Sequence, residues 1–477
     1  MENQTPMQHP RLTIVIPRLI RQLSNPAAFA AVLAIFLTAI AFVTPPFQGA
    51  DEDRHFLRAY QLSELAVLPE KENGQLGGTL PVAVVDSVKT LFAQRSQPWN
   101  RGLIARELAR RPADSPRVFE SFPNTALYSP VAYAPQVVGI WIGRLLGQPP
   151  VVLVWLARLC SIATAVASFI LVLRIAPGYR CVFVPLFFLP MFAFQTAIVS
   201  SDCLLLCAAA VLFALTMKGL EADDAAATGG SNHRVAVAVC AAVLLLTKPA
   251  YFPLVMPVGL ATVLAVYRAA GLRATMMPAI VLAAAFVPAL VWNLQVAGLF
   301  VGSNPGTLVD PRAQAAFVRE HPVTFLGICL ASCVQQSHYL WQQFVGVLGW
   351  LDTPLPPWVN HLLGCGLVAP ALIAGFNIRM TIFFRVIFLL AVLAQVVAIC
   401  GFVYGSWCPV GQEWISGLQG RYFLPLAAFT LAAASPDPTA TAAGRSERRA
   451  RVVLVLNWMS VLVSVTATLA TLVRRSW

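Results

Sequence analysis

Three observations predict an all-α fold, a polytopic membrane helical bundle: of the 477 residues 58% are hydrophobic, only 11% are charged, and the mean hydropathy is +0.71. Soluble domains do not reach these values, whereas bundles of apolar helices of about 20 residues do. Thirteen stretches have the required length and apolarity: 26–45, 129–147, 151–173, 181–196, 199–217, 234–247, 250–267, 274–297, 324–347, 358–376, 382–404, 418–434 and 452–473. The first, from Asn25 to Pro45, lacks a small-residue cleavage pattern and is expected to stay as a helix. Basic residues should share one side of the membrane, those at Arg11, Arg18 and Arg21 with those near Arg174, Lys218, Arg234, Arg268 and Arg273. The parity then closes only if one stretch before residue 151 fails to cross. Tyr128 to Gly147 is that stretch, because its opening prolines break a helix and remove backbone donors. By similar parity 324–347, interrupted by Gln335-Gln336-Ser337-His338, reads as re-entrant. Eleven to thirteen spans are expected, in one transmembrane domain covering 1–477.

Between the apolar stretches, Pro46 to Asn124 is the one large polar region, with ten acidic residues balanced by ten basic ones. It is expected to fold over the membrane as the first outer loop, 46–124. Within it Trp99, Leu103, Ile104 and Leu108 recur near helical spacing among arginines, which predicts a helix lying in the interface. A second outer loop, 298–323, and a third near 405–417 roof the same face.

The formal charge of +12 resides mostly in short connections beside apolar segments. Such placement orients the chain and suits anionic lipid headgroups, so membrane lipids are expected partners and nucleic acid is not. Nearly all ten cysteines lie inside apolar runs, and no CxxC pair occurs. They read as small hydrophobes, and no metal or other cofactor is expected.

Asp51-Glu52-Asp53-Arg54-His55 follows directly on the first apolar segment. Clustered carboxylates beside a histidine at a bilayer surface have the parts for acid–base chemistry on something the membrane delivers. An acidic turn that merely caps structure is the competing account. His55 stands one helical turn from the acids, while Arg54 and Arg58 either face an anionic headgroup or pair with the neighbouring acids. Lys248, between two short apolar segments, is expensive there unless it is paired, snorkels or touches a phosphate. Arg421 follows Gly420, which lets the backbone come close, and its guanidinium suits a phosphate. Asp202, after Ser200-Ser201, reads as a helix cap. Asp352 either faces a sugar with Trp350 stacking beneath it or begins a turn before Pro354.

Several strings occur in a telling order: Pro45-Pro46-Phe47-Gln48, Asp51-Glu52, His55 to Tyr60, Tyr128-Ser-Pro and Tyr133-Ala-Pro, then Val347-Leu-Gly-Trp-Leu-Asp352-Thr353 and Gln419-Gly-Arg421-Tyr-Phe-Leu-Pro425. Over nearly the whole chain they resemble the bacterial membrane-protein family catalogued as domain of unknown function 2142, which in turn looks like a branch of the GT-C glycosyltransferases. The resemblance implies a GT-C-like architecture in the bacterial inner membrane, N-terminus cytoplasmic. It also implies an inverting transfer of sugar from a polyprenyl-phosphate carrier to a glycan, glycolipid or protein acceptor at the outer face. By position the resemblance makes Asp51 or Glu52 the catalytic base or a metal ligand, with His55 beside it. Arg421, Lys248, Arg54 and Arg58 become donor-phosphate ligands, and Asp352, Trp350 and Tyr128 sugar or acceptor contacts. A flippase for a lipid-linked glycan and a non-catalytic assembly subunit are the alternatives from other classes.

Overall fold

The structure, a computed structural model, describes residues 25–110, 116–221, 231–299, 309–374, 382–434 and 443–477. Arg11, Arg18, Arg21 and residues 300–308 of the 298–323 loop lie outside them. The fold is the expected all-α polytopic membrane bundle.

Helix α1 (Pro26–Val43) shows how the sequence builds a span. Asn25 accepts from the Ala27 N–H at 3.0 Å, and Pro26 presets the first turn. Eighteen residues at 1.5 Å each give about 27 Å, close to a hydrocarbon core. Phe29, Leu33, Phe36, Leu37 and Ile40 are buried, whereas Ile35 and Phe42 on the other side are exposed, the pattern of a peripheral membrane helix. Among the described residues seven helices are long and apolar enough to span: Pro26–Val43, Pro150–Ile175, Asp202–Leu220, Ala279–Leu299, Pro357–Ala374, Ile382–Trp407 and Glu447–Ser476. Two bent pairs raise the number to 9: Pro177–Phe187 with Pro190–Ala197 at 78°, and Pro311–Glu320 with Pro322–Gln335 at 107°.

Among the described residues up to 9 spans pass by length and composition, against the eleven to thirteen expected for the whole chain. Proline accounts for much of the difference. The 129–147 stretch becomes a 3₁₀ turn, Pro130–Tyr133, and a 12-residue helix. The 418–434 stretch becomes a 3₁₀ segment, Gly420–Leu426, and an 8-residue helix. The helix Ser231–Thr247 has 17 residues and the helix Phe252–Ala270 has 19, and they are joined through an extended Lys248 and a 3₁₀ turn, Pro249–Tyr251.

The region after α1 is more elaborate than a layer of interfacial helices. It holds α2 (Glu52–Ser63), an antiparallel sheet of β1 (Glu70–Glu72), β2 (Gln75–Pro81) and β3 (Arg117–Ser121), and helices α3 (Val82–Phe92) and α4 (Arg101–Leu108). It has its own apolar core, with Phe47, Phe56, Leu57, Leu76, Leu80, Val84 and Phe122 buried together. The helix expected near residue 104 is α4, capped by Asn100 and anchored by Leu103. This folded region defines one face of the bundle, the loop face. Helix α5 (Pro150–Ile175) and α6 (Asp202–Glu221) begin there, and α7 (Ala443–Ser476) ends there, with Ser476 O accepting from the Trp99 N–H at 2.7 Å. Arg174, Lys218 and the arginines 448, 449 and 451 consequently lie toward the opposite ends of their helices.

Candidate functional site

The site is organised by the turn between α1 and α2. Phe47 and Asp51 both adopt left-handed backbone conformations, with φ of 65° and 58°, which non-glycine residues hold only where surroundings impose them. The imposing group is a buried ion pair. Glu52 and Arg158 of α5 are both fully buried, and Arg158 Nε and Nη2 donate to the two carboxylate oxygens at 2.7 and 2.6 Å. The Phe47 and Val199 N–H groups donate to the same carboxylate at 2.9 Å each. Arg158 also binds the carbonyls of Ala41, Thr44 and Pro45. Every acceptor site on Glu52 is thereby taken and none faces a substrate. The expectation that Glu52 shares the base role is corrected on this ground: it fixes the turn.

Asp51 differs. Its side chain is 35% exposed, and among the described residues it receives only long contacts, from Arg421 Nη2 at 3.4 Å and Asn124 Nδ2 at 3.3 Å. Four other sequence-predicted residues gather around it. Arg421 is nearly buried, faces the Tyr422 ring at 5.7 Å, and keeps an Nε–H with no hydrogen-bond partner among the described residues. Lys248 pairs with Asp202 at 2.5 Å and lies 5.8 and 5.5 Å from the Tyr128 and Tyr422 ring centres. His55 Nδ1 is 2.7 Å from the Tyr133 hydroxyl, and its ring stacks on Tyr128 at 6.1 Å. Helix Ser337–Gly346 presses so closely on the Arg421 segment that a Cβ on Gly420 would sit 1.9 Å from the Leu340 carbonyl oxygen. Gln343 Oε1 accepts from the Gly420 N–H at 2.8 Å, fixing the segment from the same side.

The remaining predicted residues do not join this group. Arg58 is fully buried and donates to Gln61 and to the carbonyls of Val67 and Tyr128, so it supports Tyr128 from behind and does not meet a headgroup. Burial lowers its pKa to about 10. Arg54 pairs with Asp53 at 3.1 Å and Glu120 at 3.4 Å and donates to the Ser121 carbonyl. Asp352 accepts from the Trp350 N–H, the Thr353 hydroxyl and Arg475, which makes it the turn residue of the two readings. Trp350 donates its indole N–H to the Phe47 carbonyl at 3.1 Å and packs edge-on to Phe92. These four are corrected from ligands to scaffold. Asp202 moves the other way: Ser200 Oγ accepts from its N–H, which frees its carboxylate for Lys248. Asp202, Tyr422, Tyr133 and Asn124 are the site residues sequence reasoning missed. Among the described residues no group of three His, Cys, Asp or Glu side chains converges on a metal position.

Burial shapes two titrations beside Asp51. It lowers the His55 pKa to about 4, against a partial upward pull from Asp51 and Asp202, so the imidazole is neutral at physiological pH. It raises the Asp53 carboxyl to about 6, opposed mainly by Arg54. The two affect stability with opposite signs. For His55 the unfolded chain takes the proton first, so its contribution is complete above pH 6.5 and is lost as pH falls through 4. For Asp53 the contribution is complete below pH 3.8 and is lost as pH rises through 6. Each amounts to about 3 kcal/mol, and they nearly cancel. His55→Asn should therefore gain stability relative to wild type between pH 6.5 and 4, and Asp53→Asn should lose it. Unfolding midpoints in detergent across that range check both signs.

A family model described as predicted membrane protein (DUF2142) matches residues 33–430. No curated protein and no solved structure matches the chain.

Proposed function

The chain belongs to the DUF2142 family of predicted membrane proteins, and we propose that it is an inverting glycosyltransferase of GT-C-like architecture taking sugar from a polyprenyl-phosphate donor. One observation carries the reading: a carboxylate about one-third exposed, Asp51, beside two cations from distant segments, Arg421 and Lys248, one with an N–H that has no partner among the described residues. The carboxylate takes the proton of an acceptor hydroxyl as its oxygen attacks the anomeric carbon. The bond from that carbon to the phosphate oxygen breaks, and its electron pair stays on the phosphate, held by Arg421 and Lys248. The phosphate leaves already anionic, so no second protein acid is required. Tyr128 and Tyr422 line the cationic pair, and neutral His55 braces Tyr128 through its stack. Basic residues at the opposite helix ends support a cytoplasmic side there, with the loop face periplasmic in a bacterial inner membrane. The acceptor is a surface glycan, glycolipid or protein.

The test is transfer in vesicles holding purified protein and a panel of polyprenyl-phosphate sugars, read as acceptor-dependent release of polyprenyl phosphate. The double variant Lys248→Met/Asp202→Asn removes a cation without leaving a lone buried carboxylate. A lost charge-assisted contact of roughly 1.5–3 kcal/mol should raise the donor KM by about 10- to 100-fold. Donor consumption unaffected in this variant and in Arg421→Met, or no consumption of any donor by wild type, overturns the reading.

A further inference from the structure

The turn that carries Asp51 is also held from outside the matched residues 33–430. Arg475, in the last turn of α7, has a side chain only 12% exposed. Its Nη1 donates to Gln48 Oε1 at 2.8 Å, and its Nη2 donates to the Arg95 carbonyl and to Asp352 Oδ2, both at 2.9 Å. Gln48 in turn donates through Nε2 to the carbonyls of Gln94 and Gln97 at 3.3 and 3.2 Å. One guanidinium thus ties together the turn, the end of α3 and the 349–353 corner. That corner is built to receive it. Gly349 has φ +64°, and a Cβ there would lie 2.7 Å from Arg475 Cζ and 2.4 Å from Asp352 Oδ1. From the same corner Trp350 reaches the Phe47 carbonyl at 3.1 Å. The left-handed conformations at Phe47 and Asp51 are held on one side by Arg158 and Glu52, and on the other by this clamp.

We propose that Arg475 is a positioning residue: it holds the Pro45–Asp51 turn in the orientation that presents Asp51, and with it the last helix becomes part of the catalytic apparatus. This rests on the functional reading above for its effect on turnover, but not for its effect on the turn. A lysine at 475 keeps the charge but not the fork that reaches three acceptors at once, so it restores function only in part.

The experiment compares wild type, Arg475→Gln, Arg475→Lys and Gly349→Ala in lipid nanodiscs. Backbone hydrogen exchange is followed in peptides covering 44–52 and, as reference, 150–175. Arg475→Gln and Gly349→Ala should speed exchange in 44–52 at least tenfold with 150–175 unchanged, and Arg475→Lys should fall between. In the transfer assay kcat should fall about 10- to 100-fold while the donor KM stays within about twofold, because the phosphate ligands are untouched. If wild type transfers no sugar, the functional reading has failed, and the exchange data still judge the clamp. Unchanged exchange in 44–52, or a loss spread equally over 150–175, overturns the positioning role. So does a loss of turnover carried wholly by KM.

Discussion

Asparagine at position 51 is expected to abolish sugar transfer while leaving the protein folded, with kcat at least about 100-fold and up to about 10⁴-fold below wild type, the range a positioned general base supplies. Asparagine is the right probe for three reasons. Position 51 has φ 58°, and asparagine tolerates the left-handed region as well as aspartate, whereas alanine would add backbone strain. The side chain is 35% exposed, so loss of its charge strands no buried partner except Arg421, which keeps the Tyr422 ring. The amide oxygen still accepts from Asn124 and Arg421 but has no basicity toward an acceptor hydroxyl. Donor binding should survive, so kcat falls and KM does not, and the unfolding midpoint should stay within about 0.5 kcal/mol of wild type. Asp51→Glu moves the carboxylate by one methylene and should recover only part of the rate. Transfer by Asp51→Asn within tenfold of wild type would exclude Asp51 as the base.

Much of the frame is legible from local signals. The apolar runs, the Asn25 cap and the prolines at helix starts define α1 and its neighbours, because these effects act within a turn or a span. The prolines of 129–147 likewise foretell a broken helix. What local pattern cannot give is pairing across the chain. Glu52 and Asp51 are adjacent and chemically alike, yet one is sealed by Arg158, 106 positions away, and the other faces the site. A signal exists, since Arg158 stands in the apolar run Val-Trp-Leu-Ala-Arg-Leu-Cys, where a charge demands a partner. The sequence does not say which of several acids answers. Asp202 has the same ambiguity: its place after two serines fits a cap, and only the approach of Lys248 gives its carboxylate another use. The β1–β3 sheet is illegible for a different reason. Its first strand is Glu-Lys-Glu and its second carries Gly77-Gly78, neither with the alternation that marks a half-buried strand.

Removing Arg158 is expected to be the most destabilising single change in the site's support. Arg158→Met fills similar volume but leaves the Glu52 carboxylate fully buried without a counter-charge, and it takes the donor from the carbonyls of Ala41 and Thr44, while the Pro45 carbonyl keeps only the Gln48 N–H at 3.3 Å. Breaking a buried pair from one side costs about 3–5 kcal/mol, enough to deplete the folded protein in the membrane. The complementary double variant, Glu52→Leu with Arg158→Met, separates charge burial from shape. With both charges gone it should regain at least half of that loss, since a buried pair contributes little net stability over apolar groups. Activity should not return with the fold, because Phe47 and Val199 lose their shared acceptor and the turn that sets Asp51 is no longer held on that side. Unfolding midpoints for the two single variants and the double variant, with transfer measured on each, give the coupling directly. Additive losses in stability would mean that the pair is not the lock of the turn, and full activity in the double variant would mean that Asp51 is placed by other contacts.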